Sequence, residues 1–178
     1  MHDDLKGKLK NIRLVILDVD GVLTDGRIIM DEQGRELRCF DVKDGFGVRA
    51  LIRMGIKVAV ISGRSAPCVA KRLQQLGVED LYQGIFEKRQ PYRELLKKYG
   101  VTPQETLFVA DDVYDMPLLE EVGVKVAVAD AVEEVKEMAD WVTEHPGGRG
   151  AVREVAEAVL KAQNLWTPVI EGLYQGGW

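Results

Sequence analysis

The sequence predicts an α/β protein, a parallel sheet with helices on both faces. Three observations carry that expectation. Short apolar runs alternate along the chain with segments of 3.6-residue periodicity. Gly55, Gly77, Gly100 and Gly123 each stand just past a periodic segment, where a left-handed helix end favours glycine. Polar groups suited to chemistry follow directly behind the apolar runs, where open α/β sheets bind ligands.

The elements follow in order. Arg13–Leu17 is a strand apolar on both sides, as a central parallel strand must be. It runs into DVDGVLTDG, so Asp18 and Asp20 project to the same side of an extended chain. After Asp25, GRIIM and ELRCFDV flank DEQGR, a hairpin pattern with Gly34 in the turn. Helical periodicity covers Phe46–Met54, Pro67–Leu76, Pro91–Tyr99, Met116–Val122, Val132–Met138 and Val152–Leu160. Strands are expected at Lys57–Ile61, Thr106–Ala110 and Lys125–Val128, with weaker ones near Leu81–Tyr82 and Trp141–Val142. Residues 1–163 therefore form a single domain, with no repeat and no insertion large enough for a lid domain. Residues 164–178, NLWTPVIEGLYQGGW, form a tail whose glycines permit mobility, with Trp166 and Trp178 expected to pack it onto a neighbour. Trp141 is expected in the core.

The 178 residues are 46% hydrophobic and 30% charged, enough for one sizeable core. With 24 basic and 29 acidic side chains the net charge is -5, which gives no support for a nucleic-acid or anionic-membrane surface. Cys39 and Cys68 are too few and too isolated for a disulfide framework or a CxxC metal site. No apolar stretch approaches the ~20 residues of a membrane span. The opening MHDDLKGKLKNIR lacks the apolar segment of a secretory signal, so a cytoplasmic protein is expected. His2 and His145 are isolated and are not expected to be ligands.

Two carboxylates about 5 Å apart repel by roughly 3 kcal/mol at an effective dielectric of ~20. Asp18 and Asp20 therefore need a cation, a shared proton or a reaction. The later strands deepen the problem. Lys57–Ile61 delivers Ser62, Gly63 and Arg64, and Thr106–Ala110 delivers Asp111 and Asp112, with Asp115 one turn on. Lys88 opens the helix after YQGIFE. Five carboxylates then face one ammonium and one guanidinium, and a hard divalent cation such as Mg²⁺ is the simplest compensation. A phosphoryl group fits such a site, its charge clamped by the metal, Lys88, the Ser62 hydroxyl and backbone amides. Asp18 could attack phosphorus, while Asp20 protonates the leaving alcohol and then deprotonates the hydrolytic water. A lone DxD at a strand end is often only solvated; DGVLTD followed in order by Ser, Lys and DD is far more specific.

DVDGVLTD, ISGR, Lys88 after YQGIFE, and ADDVYD resemble the four ordered motifs of the haloacid dehalogenase (HAD) superfamily of phosphohydrolases. The resemblance implies a three-layer Rossmann-like HAD fold with an added β-hairpin after the first strand and no cap domain. It implies that Asp18 is the nucleophile, Asp20 the acid/base, and Ser62 and Lys88 phosphate ligands. Mg²⁺ would be held by the carboxylates of Asp18 and Asp111 and the backbone oxygen of Asp20, supported by Asp112 and Asp115. Ala110 and Ser62 stand where relatives often carry glycine and threonine. Over Ile12 to Leu160, and above all from GRIIM to ISGR, the chain closely resembles the capless 3-deoxy-D-manno-octulosonate 8-phosphate (KDO 8-phosphate) phosphatases. Those are homotetramers in which a neighbouring subunit covers each active site and the hairpins build a central barrel. The same resemblance marks Asp20, Asp41, Val42, Lys43, Asp44, Gly45, Arg49, Gly63, Arg64, Arg72, Lys88 and Arg149 as substrate contacts. Asp44 also suits a helix N-cap, Asp115 could simply cap the following helix, and helix-surface arginines are common without function.

Two rival functions remain open on sequence. A phosphatase for 2-keto-3-deoxynononate 9-phosphate shares the chemistry, but Arg64 favours the eight-carbon acid, since the nononate enzymes tend to be acidic there. A receiver-like phospho-accepting domain, or a binding module without turnover, would also use aspartate, Mg²⁺, hydroxyl and lysine. The receiver order of acidic pair and acceptor is the reverse of the one here, and a dead module would have lost Asp18 or Asp20.

Overall fold

The computed structural model describes residues 3–176; His2 and Trp178 lie outside them. Its centre is strand β1 (Leu14–Leu17), whose four residues are all fully buried. β1 pairs in parallel with β4 (Lys57–Ser62) on one side and β6 (Thr106–Ala110) on the other. β5 (Asp80–Gln83) extends the sheet beyond β4, and β7 (Val124–Ala127) and β8 (Trp141–Val142) extend it beyond β6. Chain order thus runs outward in one direction from β1 to β5 and in the other from β6 to β8. The reversal lies between β1 and β6, the place where an open α/β sheet leaves a crevice at its carboxyl edge. Leu17 is level with both Val60 and Val109, so Asp18 and the residues after Ala110 leave the sheet side by side.

The helices form two layers. α2 (Val42–Arg53) packs against α3 (Pro67–Leu76) and α7 (Ala151–Ala162), and α7 also meets α1 (Asp3–Leu9) and α8 (Trp166–Tyr174). α4 (Arg89–Tyr99), α5 (Met116–Leu119) and α6 (Glu133–Met138) form the other layer. Tyr92 of α4 is fully buried; its hydroxyl lies 3.1 Å from Thr106 Oγ1 and donates to the Glu121 carbonyl at 3.3 Å. Between β1 and α2 the described chain carries only a hairpin of β2 (Ile29–Met30) and β3 (Glu36–Leu37), and no cap domain.

The alternation predicted from the sequence is the one observed, with local differences. The hairpin pairs only two residues per strand, because Asp31 accepts from the amides of Gln33 and Arg35 and closes the turn tightly. α2 starts at Val42 rather than Phe46, since Asp41 caps it by accepting from the amides of Lys43 and Asp44. α5 is shorter than the predicted Met116–Val122. Gly55, Gly77 and Gly100 are left-handed as expected, whereas Gly123 serves a close approach to the Pro103–Gln104 backbone. α1 lies outside the segments whose periodicity predicts a helix, and it buries Leu5 and Leu9. The 164–178 segment contributes α8, whose Val169 is buried. Trp166 packs within the chain, edge-on to Phe46 with ring centres 6.4 Å apart. Trp141 is partly buried against the core, and both cysteines are free thiols.

Asp44, fully buried in the first turn of α2, accepts from the amides of Gly150 at 3.1 Å and Arg153 at 2.8 Å. It thereby satisfies the amino end of α7, which has no side-chain cap of its own. Burial pushes its carboxyl up, opposed by those two amides. Asp44→Ala is expected to lower stability by about 1–3 kcal/mol, because two helix amides and the α2–α7 contact lose their partner. Chemical denaturation of variant and parent measures this difference.

Candidate active site

The chemistry gathers where the strand order reverses. Asp18, just past β1, is buried and accepts from Lys88 Nζ at 2.6 Å. Lys88, at the entrance to α4, is itself buried and lies 2.5 Å from Asp115 Oδ1. That second approach is ionic, and Asp115 Oδ1 is buried without an aligned hydrogen bond. Oxygens of Asp18, Asp111 and Asp115 lie within 4.8 Å of one another. The sequence placed Asp115 behind the metal ligands; the structure brings its carboxylate level with theirs. Asp112 is exposed, and its side chain accepts from the amide of Val113 at 2.7 Å.

Crowding like charges out of water has the expected effect. Burial, then Asp18, Asp115 and Asp112, push Asp111 up to about 8, with Lys88 opposing. Burial and Asp18 push Asp115 up to about 7, again against Lys88. Asp18 is raised by burial and held back by Lys88, while Lys88 is raised by its two carboxylates in spite of burial. One ammonium thus faces two buried carboxylates, Asp18 and Asp115, with the half-buried Asp111 beside them. This donor set fits a hard divalent cation, which prefers oxygen ligands and would supply the missing positive charge.

Local backbone makes room for the cluster. Gly21, at φ +88°, carries no Cβ, and one placed there would overlap the Asp111 carboxylate. A side chain at 21 would be strained by its backbone and would fill the acid's place. Gly147 and Gly148 of the GGRG segment lie directly against the Gly21–Asp25 backbone, and the Gly148 amide donates to Val22 O at 2.8 Å. Thr24 Oγ1 accepts from the amides of Gly21 and Gly26, folding DGVLTDG into a compact turn.

Asp18, Asp20, Ser62, Gly63, Arg64, Lys88, Asp111, Asp112 and Asp115 line one cavity of about 310 Å³. Ser62 ends β4 and its Oγ accepts from the Arg64 amide at 3.3 Å. A larger cavity of about 500 Å³ lies by Lys10, Arg13 and Lys57, away from these carboxylates. The other expected substrate contacts do not line the cavity of Asp18 and Asp111. Asp41 and Asp44 hold helix ends, Val42, Lys43 and Arg49 are exposed, and Arg72 lies against Gly45. Arg149 lies 3.5 Å from Asp25. His145, not expected as a ligand, contacts Glu154.

Four residues at the site escaped sequence reasoning. Phe86 and Tyr114, exposed and with ring centres 6.0 Å apart, line the cavity. Arg38, with only 1% of its side chain exposed, places Nε 3.0 Å from Asp20 Oδ1 and Nη2 2.9 Å from Glu36. Glu36 also meets Arg64 Nη2 at 2.5 Å. Strand alternation in ELRC puts Glu36 and Arg38 on one face, a signal that could have paired them.

A haloacid dehalogenase-like hydrolase family model matches residues 42–123. The Escherichia coli (strain B / BL21-DE3) 3-deoxy-D-manno-octulosonate 8-phosphate phosphatase is 48% identical over 160 residues, 90% of this chain and 85% of its own. This chain belongs to that phosphatase family. The Yersinia pestis phosphatase structure superposes with TM-score 0.92 at 45% identity, covering 94% of this chain and 90% of its own. The Moraxella catarrhalis phosphatase, solved with magnesium ion, phosphate ion and KDO, gives 0.94 at 37% identity, covering 97% and 99%.

Two outcomes follow from the carboxylate cluster. Asp111 and Asp115 bind protons more tightly folded than unfolded, so without metal their contribution to stability is full below about pH 4. It is lost as pH rises through about 7 and 8. Thermal melts should therefore show that added Mg²⁺ stabilises the protein more at pH 8.5 than at pH 5.5, since binding displaces protons. An equal gain at both values would contradict a site built on these two acids. Gly21→Ala should weaken Mg²⁺ binding, read by calorimetric titration, more than it lowers the melting temperature.

Proposed function

We propose that this chain is a Mg²⁺-dependent phosphatase that converts KDO 8-phosphate to KDO and phosphate through an aspartyl-phosphate. The observation that carries this reading is the convergence of Asp18, Asp111 and Asp115 around Lys88, with Asp20 on the same cavity wall. The activity of a phosphatase 48% identical over 90% of the chain supports the substrate. The side chains of Asp18, Asp111 and Asp115 and the Asp20 backbone oxygen would hold the ion, which supplies positive charge against the carboxylates and the phosphoryl oxygens. Lys88 keeps the Asp18 carboxylate aimed and, with Ser62 Oγ, neutralises the incoming phosphoryl group. Asp18 forms a bond to phosphorus as the ester P–O bond breaks, and Asp20 gives its proton to the leaving oxygen. Asp20 then takes a proton from the water that attacks the phosphoenzyme, regenerating both carboxyl groups.

Arg64 at the cavity suits the carboxylate of a sugar acid. No helix among the described residues is long and apolar enough to cross a membrane, in keeping with the cytoplasmic setting proposed here. A homotetramer completes the reading. Ile28, Met30 and Leu37 are 54%, 60% and 57% exposed on a hairpin with unpaired edges, a surface that self-association would cover.

Asp18→Asn should lower phosphate release from KDO 8-phosphate by on the order of 10³-fold or more while leaving the circular dichroism unchanged. Faster turnover of 2-keto-3-deoxynononate 9-phosphate by the parent protein would overturn the substrate. Sedimentation at micromolar concentration should give a tetramer, and a monomer would refute the assembly.

A further inference from the structure

We infer that Arg38 is a positioning residue for proton transfer, holding one oxygen of Asp20 so that the other faces the leaving group; this rests on the acid/base role proposed for Asp20. The guanidinium bridges two carboxylates, Asp20 through Nε at 3.0 Å and Glu36 through Nη2 at 2.9 Å. Its side chain is 1% exposed and does not line the cavity, so it stands behind Asp20 as seen from the substrate. Asp20 Oδ1 is the oxygen engaged. Among the described residues, Asp20 Oδ2 has only Arg64 Nε at 3.9 Å, beyond hydrogen-bond reach, and is left to exchange a proton in the cavity.

Stability alone does not account for Arg38. Its Nε meets Asp20 as an ion pair without hydrogen-bond alignment, and its Nη1 is buried with no hydrogen-bond partner. A buried guanidinium with donors unpaired is costly, and replacing buried charges by apolar groups is often neutral or stabilising. What the arrangement does achieve is orientation. Asp20 sits in an irregular turn after β1, free to rotate unless something fixes it, and Arg38 is fixed by Glu36, which in turn also grips Arg64. The hairpin residues Glu36 and Arg38 thus reach the reacting region from within the same chain.

Catalysis by an oriented acid matters in proportion to how badly the leaving oxygen needs a proton. An alkoxide from KDO 8-phosphate needs one; p-nitrophenolate does not. Since kcat/KM covers steps only through alcohol release, it separates acid catalysis from later hydrolysis of the phosphoenzyme. Arg38→Met should lower kcat/KM for KDO 8-phosphate on the order of 10²-fold, and for p-nitrophenyl phosphate by no more than about threefold. Arg38→Lys, which keeps the charge but loses the fork, should recover part of the difference, and Glu36→Gln should give the same selective loss, more weakly. Equal losses on both esters would mean a merely structural role and overturn the inference, as would no loss on either. If Arg38→Met fails to fold, the ratio of the two esters in Arg38→Lys and Glu36→Gln decides. Absence of activity in the parent protein on both esters would instead refute the phosphatase reading itself.

Discussion

The constraint on which this structure depends is electrostatic: three carboxylates share a buried corner with one ammonium. Asp18, Asp111 and Asp115 come from β1 and from the segment after β6, which are neighbours only because the chain reverses its strand order between them. The sheet must be rigid there, since like charges would otherwise relax apart; β1 is accordingly buried on every side, with parallel neighbours in register. Lys88 arrives from the other flank, carried by the loop after β5, and its contacts with Asp18 and Asp115 tie the two halves of the sheet together at the carboxyl edge. Fold and chemistry are therefore not separable here. The same burial that raises Asp111 and Asp115 makes a cation the natural complement of the site, because charge interactions grow as water is excluded.

Loops without regular structure are held by this arrangement rather than added to it. The DGVLTDG turn is closed by Thr24, occupied on one side by Asp111 against Gly21, and backed by Gly147 and Gly148. The GGRG segment in turn leads into α7, whose amino end is satisfied by Asp44 of α2. A line of contact thus runs from helix packing to the DGVLTDG turn. Asp44 bears on the site by fixing the backbone behind it.

Much of this was legible in the sequence because the signals were local. Periodicity and glycine placement fixed the order of elements, and the type of residue at each strand end marked Asp18, Asp20, Ser62, Lys88 and Asp111 as one group. What was not legible depends on three-dimensional approach. From its neighbours Asp115 reads either as a support behind the metal ligands or as a helix cap, and only the fold shows its carboxylate level with Asp18 and Asp111. Asp44 reads as a contact in a functional segment, yet its partners lie more than 100 positions away, at Gly150 and Arg153. Gly123 sits where a left-handed cap belongs, but the approach of Pro103 is what demands a glycine. Arg38 looked like one more polar residue on a hairpin arm until the hairpin folded it inward.

That inward turn changes how the hairpin should be understood. A two-residue ladder with exposed Ile28, Met30 and Leu37 contributes little stability on its own. Ile29 and its cross-strand partner Leu37 share one exposed apolar face, whereas Glu36 and Arg38, on the other face with Met30, meet Asp20 and Arg64. Whatever covers the exposed apolar face will limit how far the hairpin can shift. Any such shift carries Glu36 with it, and Glu36 grips both arginines beside Asp20. Cover of the exposed hairpin face and the placement of Asp20 are consequently linked through one short element. In a chain whose described residues include no cap domain, this hairpin is the element that would have to supply the rigidity a lid otherwise provides.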